Sequence, residues 1–479
     1  MARTLFFFIV LTVGVGMQVK GQDVSTPKSY DFAISSESQL SLLKLKETHV
    51  YNLHSYNKIL KMHLKKIKLA IRYSENLLKS STLFQYNLFF GFKVLRHIYK
   101  AWPLYLTLLT KELGTKETSA FQDLLEQQPT SVDFEESLGA IHRLQTVYDL
   151  DSYAMAEGIL AGKNYNIKNW GVDECLILGL MYQYIKNYNQ SENWFQLALY
   201  YYEDHPNPEE LEIKIWKYTN LLELLVEANK GLGRYLEAKK YANELLTLFP
   251  NQTYMLKQLP KLKYLHENPI KLKKPKKEYK LQKAICSKRY RRKSGNLLCR
   301  YVNWTPFLQL APLKMEELSI ETHISIVHDF IGQKDIEILK NVSRPKLQRH
   351  ENLSWNCSCK IGNLSSSSHD IVAKINRLIL DVTGFPMKGN EKLEVINYGL
   401  AGNYNLDDTA KSKHQNHANA LIFLSNVERG GEIVFPSRHL KVRARKGSML
   451  VWENVKGRVI YHQCPILKGN MWVANKVLN

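Results

Sequence analysis

The fold of the C-terminal part of this chain is decided by four stretches: 420–424 (ALIFL), 432–435 (EIVF), 448–452 (SMLVW) and 471–475 (MWVAN). Each is a short run rich in apolar residues, and glycines at 402, 430, 431, 447 and 469 separate them, which predicts strands joined by tight turns. Further strands are predicted at 324–328 and 393–398, and one helix at 369–384. Short strands with regular turn signals favour a double-stranded β-helix, or jelly roll, over 299–479.

The N-terminal region is predicted to be helical. Neither Gly nor Pro occurs between Leu40 and Leu78, and apolar residues recur there at spacings of three and four, which defines one helical stripe. The stripe consists of Leu53, Tyr56, Leu60, Leu64, Ile67 and Ile71. A second helix is predicted over 83–112. Such a long amphipathic helix could pair with its copy in a second chain or pack within its own domain.

Residues 136–258 carry the pattern of two helix pairs of the tetratricopeptide type. Leu178, Gly179 and Tyr182 fall on one predicted helix, and Phe195 and Ala198 on the next. The second pair is marked by Gly233, Tyr235, Ala238, Leu245 and Pro250. Small residues allow close helix packing, and the proline ends the repeat. Residues 259–298, rich in lysine and arginine, are interpreted as a basic linker.

Composition points to the secretory pathway. Residues 1–21 have a basic start, an apolar run and a small-residue cleavage site, as a signal peptide does. Glycosylation sequons, which favour a glycoprotein, occur at Asn189, Asn251, Asn303, Asn341, Asn352, Asn356 and Asn363. No later stretch is apolar enough to predict a membrane span. The net charge of +21 could favour polyanions; in a lumenal protein, however, we expect no nucleic-acid partner.

Three phrases carry a resemblance to a known family: GAIHRLQTVYDLD at 139–151, NYGLAGNY at 397–404 and CPILKGNMWVANKVL at 464–478. They are similar to the α subunit of prolyl 4-hydroxylase, an iron and 2-oxoglutarate dioxygenase. The resemblance implies a dimerisation domain at 22–135, a peptide-binding repeat domain at 136–258 and a dioxygenase domain at 299–479. It also implies the cofactors Fe²⁺, 2-oxoglutarate and L-ascorbate. Implied partners are a second α subunit, protein disulfide isomerase and a proline-rich peptide.

At the positions that match the family's reactive residues, this chain has different side chains. The three iron ligands of the family, His, Asp and His, correspond to Asp407, Thr409 and Tyr461, and a one-residue shift would make His462 the third. The family's lysine for 2-oxoglutarate corresponds to Met471. A threonine hydroxyl is a poor ligand for Fe²⁺. Only Asp407 and His462 would be plausible metal ligands.

Alternatives exist at two of these positions. Asp408, beside Thr409, would point to the other face of a strand, although a loop could bring it back. Lys476 matches a different lysine of the family and lies on the opposite face of an ideal strand from Met471.

The resemblance also suggests roles for tyrosines and cysteines. Tyr182, Tyr184 and Tyr188 are candidates for peptide contacts, although each could instead be a core residue. Cys286 and Cys299 match a disulfide-bonded pair of the family.

The remaining cysteines are less defined. Cys464 matches a cysteine whose partner in the family lies beyond the last residue of this chain, which leaves Cys464 unpaired or paired elsewhere. The pairing of Cys175, Cys357 and Cys359 is open.

These observations lead to one leading hypothesis and two alternatives. The leading hypothesis is a pseudoenzyme of the endoplasmic reticulum lumen that binds peptides or subunits. The first alternative is an active procollagen-proline 4-dioxygenase with an altered iron site. The second is a lumenal or secreted adaptor that uses the repeats.

Overall fold

The computed structural model describes residues 32–79, 88–160, 162–165, 170–203, 218–269, 284, 286, 298–349, 358–386, 392–403, 418–454, 459 and 461–478. Within these residues the chain divides into two compact units. One unit contains residues 36–132, with Phe32, and the other contains residues 33–35 and 133–479. The signal peptide predicted at 1–21 lies outside the described residues.

The unit at residues 36–132 is helical. Its helices are α1 (Ser36–Lys79), α2 (Leu88–Thr110), α3 (Thr115–Leu125) and the first residues of α4 (Ser131–Tyr148). The two long predicted helices are therefore confirmed within the described residues. Gly114 starts α3 with a φ of 69° and allows the ring of Tyr56 to pack directly on its backbone. Asn52 Nδ2 donates to Glu117 O over 2.8 Å and fixes α1 beside α3.

The other unit begins with the repeat module. It consists of α4, α5 (Ser152–Ala156), β1 (Ile159–Leu160), β2 (Lys163–Asn164), α6 (Val172–Tyr184), α7 (Tyr188–Glu203), α8 (Tyr218–Gly231), α9 (Tyr235–Leu248) and α10 (Thr253–Glu267). Gly179 lets α6 and α7 approach, because a Cβ there would lie 2.4 Å from the ring of Phe195. The predicted helix pairs are thus present, with a small residue at the point of contact.

A buried glutamine connects α4 to the repeats. The amide oxygen of Gln145 accepts hydrogen bonds from Tyr182 Oη at 2.7 Å and Trp194 Nε1 at 3.1 Å. Its amide nitrogen donates to Ser152 Oγ at 2.8 Å and to Gln190 Oε1 at 2.9 Å. A buried amide with all of these bonds made is stabilising, whereas removal of one partner would leave a costly unpaired group.

The C-terminal part is built from strands. They are β3 (Cys299–Val302), β4 (Leu313–Ser319), β5 (Ile324–His328), β6 (Cys359–Leu364), β7 (Leu393–Tyr398), β8 (Ala418–Phe423), β9 (Val427–Gly430), β10 (Ile433–Phe435), β11 (Leu440–Val442), β12 (Met449–Glu453), β13 (His462–Gln463), β14 (Ile466–Gly469) and β15 (Trp472–Leu478). Three helices accompany them: α11 (Pro306–Leu310), α12 (Gln333–Ser343) and α13 (Asp370–Thr383).

The strands form one large and two small antiparallel sheets. The large sheet has the order β3-β4-β5-β12-β8-β15-β7-β6, and the small sheets are β11-β10-β13 and β14-β9. One face of the large sheet packs on α12 and α13, through residues such as Leu339, Ile375 and Trp472. Its other face packs on the small sheets, through residues such as Phe423 and Phe435. Two sheets face to face with crossing connections make a jelly roll, which confirms the predicted fold class.

The repeat module packs directly on the jelly roll. Tyr148 Oη, at the end of α4, donates to Pro465 O over 2.6 Å. Val147 is fully buried against Val434 and Cys464, and Leu467 of β14 belongs to the core of the repeat module. Within the described residues, no helix combines the length and apolarity that crossing a bilayer would require.

Candidate functional site

The space between the large sheet and the small sheets is the place where the predicted reactive positions converge. Strands β13 and β15 border this space, and side chains alternate between the two faces of a strand. Tyr461 lies on the inward face, with its ring centroid 4.8 Å from that of Trp452 and 6.1 Å from that of Phe435. Gln463 also points inward, because its Nε2 donates to Met471 Sδ over 3.2 Å.

His462 consequently points away from this space. It pairs with Val434 across the small sheet, and Val434 packs with Cys464 and Val147 on the outer side. His462 is 7% exposed, and its Nδ1 has no hydrogen-bond partner in the described part of the chain. The one-residue shift that would make His462 an iron ligand therefore puts its imidazole on the wrong face of the sheet.

Met471 fills the position that matches the family's lysine. It has no exposed surface and packs in the inter-sheet cluster, the apolar group between the large and small sheets that includes Tyr398 of β7, Phe423 of β8, Phe435 of β10 and Trp452 of β12. A Cβ on Gly431 would lie 3.1 Å from its Sδ, so the turn at 430–431 closes over it. Lys476 is also buried, 1% exposed, but alternation along β15 places it on the helix-covered face of the large sheet. Lys476 therefore does not replace the missing charge.

The remaining predicted ligands cannot be located. Asp407, Asp408 and Thr409 lie outside the described residues. Within the described ranges, no group of three or more His, Cys, Asp or Glu side chains is placed to hold a metal ion.

The described residues between the sheets do not by themselves form a site for iron with 2-oxoglutarate. Active sites of this kind need two imidazoles and a carboxylate on one face, with a cation for the distal carboxylate. The described inward-facing groups at and beside the predicted positions are instead a phenol, an amide and a thioether, from Tyr461, Gln463 and Met471. Trp452 Nε1 is a buried donor without a partner among the described residues, but one neutral N–H does not replace an ammonium group.

The disulfide prediction is wrong. Cys286 is bonded to Cys464, with Cα atoms 5.6 Å apart, while Cys299 is exposed and has a free thiol. The bond lies against Val147 and Val434, and Lys441 Nζ donates to Cys286 O over 2.7 Å. The physical reason is that Cys299 opens β3 at the edge of the large sheet, whereas Cys286 lies under α4. Cys464 is therefore paired within the chain.

The other cysteines differ in environment. Cys359 is also disulfide-bonded, whereas Cys357 lies outside the described residues. Cys175 is a buried free thiol, and burial raises its pKa to about 12.

The three candidate peptide-contacting tyrosines have different positions. Tyr182 is completely buried, and its hydroxyl donates a hydrogen bond to Gln145 Oε1. The prediction that Tyr182 contacts a peptide is therefore wrong. The ring of Tyr188 packs on the backbone of Gly231 at the end of α8. Tyr184 is 43% exposed and remains a candidate.

Sequence reasoning missed one polar group of the repeats. Asn229, fully buried in α8, donates from Nδ2 to Leu225 O over 3.0 Å, while its Oδ1 has no partner among the described residues. An unpaired buried acceptor is costly unless a ligand or water supplies a donor. A buried asparagine within a helix was visible in the sequence as the polar residue in LLVEANK (224–230), but nothing indicated its burial.

Comparisons with known proteins agree with the resemblance. A family model described as "Prolyl 4-Hydroxylase alpha-subunit, N-terminal region" matches residues 35–162. Prolyl 4-hydroxylase subunit alpha-1 of Mus musculus is 27% identical over 443 residues, covering 81% of this chain and 82% of its own length. Prolyl 4-hydroxylase subunit alpha-2 of Gallus gallus is 26% identical over 396 residues, with 73% of each chain covered.

Several solved structures are similar to part of the chain. One of them is the viral collagen prolyl hydroxylase from Paramecium Bursaria Chlorella virus-1, in its 2OG complex, at 18% identity and a TM-score of 0.25. The match covers 32% of this chain and 94% of the viral one. The jelly-roll assignment rests on the sheet order and the two packed faces of the large sheet.

Proposed function

This chain belongs to the prolyl 4-hydroxylase alpha-subunit family, and from that premise we propose that it is a non-catalytic member that acts by binding. One observation carries the proposal: Met471, at the position of the 2-oxoglutarate lysine, is completely buried in an apolar cluster. A carboxylate placed there would lose water without gaining a charged partner, which costs several kcal/mol. The outward orientation of His462 supports the same conclusion.

The test of this proposal measures cofactor binding directly. Wild-type protein is titrated with 2-oxoglutarate in the presence of Fe²⁺ and without oxygen, by calorimetry, beside an active prolyl 4-hydroxylase as positive control. We expect no saturable heat and no 2-oxoglutarate turnover above a metal-free blank. Stoichiometric uptake of both would refute the proposal. Turnover abolished by His462→Ala would favour the alternative, an active procollagen-proline 4-dioxygenase with Asp407 and His462 as ligands and with ascorbate as its reductant.

The helical unit supports a role in assembly. Large apolar side chains of α2 are strongly exposed, including Phe92 at 66%, Trp102 at 58% and Leu106 at 63%. The predicted stripe of α1 is also open, with Leu53 and Ile71 each more than half exposed. Apolar patches of this kind mark protein interfaces. We infer that α1 and α2 bind an α subunit, its own copy or another.

Assembly is tested on the whole chain by light scattering coupled to size exclusion. Wild type is expected to be a dimer or larger. Trp102→Glu would shift the population toward monomer, whereas Lys93→Glu, an exposed residue of the same helix, would not. A wild type that remains monomeric at all concentrations contradicts this part of the proposal. Co-expression with protein disulfide isomerase tests that further partner, and recovery at near-equal ratio is expected.

The repeats support peptide binding as the second part of the role. Tyr184 is 43% exposed, so its ring is open to contact with an extended peptide. A proline-rich peptide is the expected ligand class. Tyr184→Ala should weaken binding of this peptide. A substitution of the fully buried Tyr182 serves only as a control for folding. Unaltered binding by Tyr184→Ala would remove Tyr184 from the groove. A repeat adaptor without any subunit role remains the alternative.

Localisation to the endoplasmic reticulum lumen is part of the proposal, with secretion as the alternative. The asparagines of the sequons at 189, 251, 303, 341 and 363 are exposed, as glycan attachment requires. Sensitivity of the cellular protein to endoglycosidase H would support the lumen. Absence of any mobility change with peptide-N-glycosidase would contradict a secretory route.

A further inference from the structure

A cavity opens on the helix-covered face of the large sheet, the face opposite the cluster between the sheets. Its volume is about 300 Å³. Helix α13 ends at Thr383, and Gly384 takes a left-handed conformation with φ 71°, so the chain leaves the sheet at that point. The last turn of α13 lines the cavity together with the end of β4, the start of β5 and the end of β12. Trp304 and Phe385 form the walls of the space that remains.

The floor of this cavity is set by strand register. Ser325 of β5 lies between Glu317 of β4 and Val451 of β12, because each of these is paired with it across the sheet. Glu453 is two residues beyond Val451 on β12 and therefore lies on the same face. The floor of the cavity thus contains Ser325 and Val451, and the carboxylates of Glu317 and Glu453 lie beside them. Volumes and linings of this kind are typical of small-ligand sites.

The two carboxylates differ in their partners. Glu317 forms an ion pair with Arg300 over 3.0 Å, and the guanidinium group of Arg300 lies 5.9 Å from the ring centroid of Trp304. Glu453 is half-buried and has no ion pair or hydrogen bond with any described residue. The described charged groups of the lining therefore leave one negative charge without a partner. The guanidinium group of Arg300 thus lies between a carboxylate and an indole, whereas the second carboxylate has no ion-pair partner among the described residues.

We propose that this cavity binds a small primary amine with an apolar body. The ammonium group would donate to Glu453, and the apolar part would lie against Phe385 and Val451. Aromatic walls and a carboxylate together recognise organic cations, because the ring face attracts positive charge and the carboxylate accepts its N–H bonds. The proposal does not depend on the proposed function, since the cavity and the inter-sheet cluster lie on opposite faces of the large sheet.

The probe for this site is benzylamine, with benzyl alcohol as its neutral control. Binding to the whole wild-type chain is followed by saturation-transfer NMR at low ionic strength. We expect saturable binding of benzylamine with a Kd of about 1 mM, a usual affinity for a ligand of this size. Benzyl alcohol should bind at least about tenfold more weakly, because it lacks the charge-assisted hydrogen bond.

Two variants locate the site by independent means. Glu453→Gln removes the charge at constant size and should weaken benzylamine at least about tenfold. Ser325→Met fills the floor and should abolish binding of both probes. Glu316→Gln, a neighbour of Glu317 that faces the other side of β4, serves as the matched control and should bind as wild type does. Thermal melts establish that each variant is folded.

Three outcomes would overturn the proposal. The first is no saturable binding of benzylamine to wild type. The second is equal affinity for benzylamine and benzyl alcohol. The third is unchanged benzylamine binding in folded Glu453→Gln and Ser325→Met.

Discussion

Replacing Met471 by lysine tests whether the inter-sheet space is a packed core. The substitution restores the residue that the family has at this position. In an open cofactor site the ammonium group would be solvated or paired with 2-oxoglutarate. In the structure, Met471 has no exposed surface and contacts apolar and aromatic side chains. An open site therefore predicts little change in stability, whereas a packed core predicts a large loss.

The expected loss can be estimated from two contributions. A lysine with an ordinary pKa of about 10.4 that must be neutral at pH 7 costs about 4.6 kcal/mol, at about 1.36 kcal/mol for each pH unit. Loss of the methionine side chain removes a favourable burial of about 1.5–3 kcal/mol, which the lysine stem partly replaces. We expect Met471→Lys to lower the free energy of unfolding by about 5 kcal/mol, which is the cost of the neutral lysine plus a small remaining loss of burial. Met471→Leu, which conserves volume, should cost less than about 1.5 kcal/mol.

Urea denaturation monitored by tryptophan fluorescence measures this effect, because Trp452 lies in the same cluster. The chain has several domains, so the comparison uses the midpoint of the transition that Trp452 reports. The penalty has a defined pH dependence. Burial lowers the folded-state pKa of the new lysine, so the loss is present below the unfolded value of about 10.4 and disappears as pH rises through it.

Two results would refute the reasoning. A Met471→Lys variant as stable as wild type at pH 7 would mean that the space is open to water. Saturable 2-oxoglutarate binding by Met471→Lys would mean that the space between the sheets has room for the cofactor.

Three further predictions follow from contacts outside that cluster. Tyr148→Phe removes the hydrogen bond to Pro465 O and should cost about 1 kcal/mol, measured by urea denaturation; an unchanged midpoint would contradict a role for the bond. Alkylation without reduction should label Cys299 and leave Cys286 and Cys464 unmodified, and a peptide containing Cys286 joined to Cys299 in mass spectrometry would contradict the pairing. Burial, with Arg143 nearby, lowers the pKa of His142 to about 4 in the folded state. As the pH decreases from about 6.5 to 4, the unfolded state therefore binds a proton at His142 before the folded state does. The free energy of unfolding should fall by about 1–3 kcal/mol over this range. His142→Gln should flatten this part of the pH profile, and an unchanged slope would exclude His142 as its source.

Sequence reasoning located the strands and the inward-facing positions because both depend on local pattern. The strand at 393–398 and the helix at 369–384 are set by short-range alternation and spacing, and they appear within one residue of the predicted bounds. The inward position of Tyr461 also follows from two-residue periodicity once its strand is known.

Long-range pairing could not be predicted in the same way. Cys286 and Cys464 are separated by 178 residues, and only the packing of α4 against the small sheet brings them together. Tyr182 occupies a repeat position that in principle suits a groove or a core. Its burial is decided by Gln145, whose amide oxygen accepts from its hydroxyl across 37 residues. The cavity at the end of α13 is lined by segments that are far apart in the sequence, between residues 300 and 453, and a one-dimensional pattern does not record their meeting.

The position of Leu467 has a consequence for how the chain can be divided. This leucine belongs to a barrel strand, yet it completes the apolar interior of the repeats, and Cys464 beside it is tied to residue 286. A recombinant fragment that starts at residue 299 would therefore lack the disulfide bond of Cys464 and would expose the side chain of Leu467 to solvent. Such a truncation should precipitate or bind chaperones, whereas limited proteolysis of the intact polypeptide should leave residues 133–479 associated after cleavage.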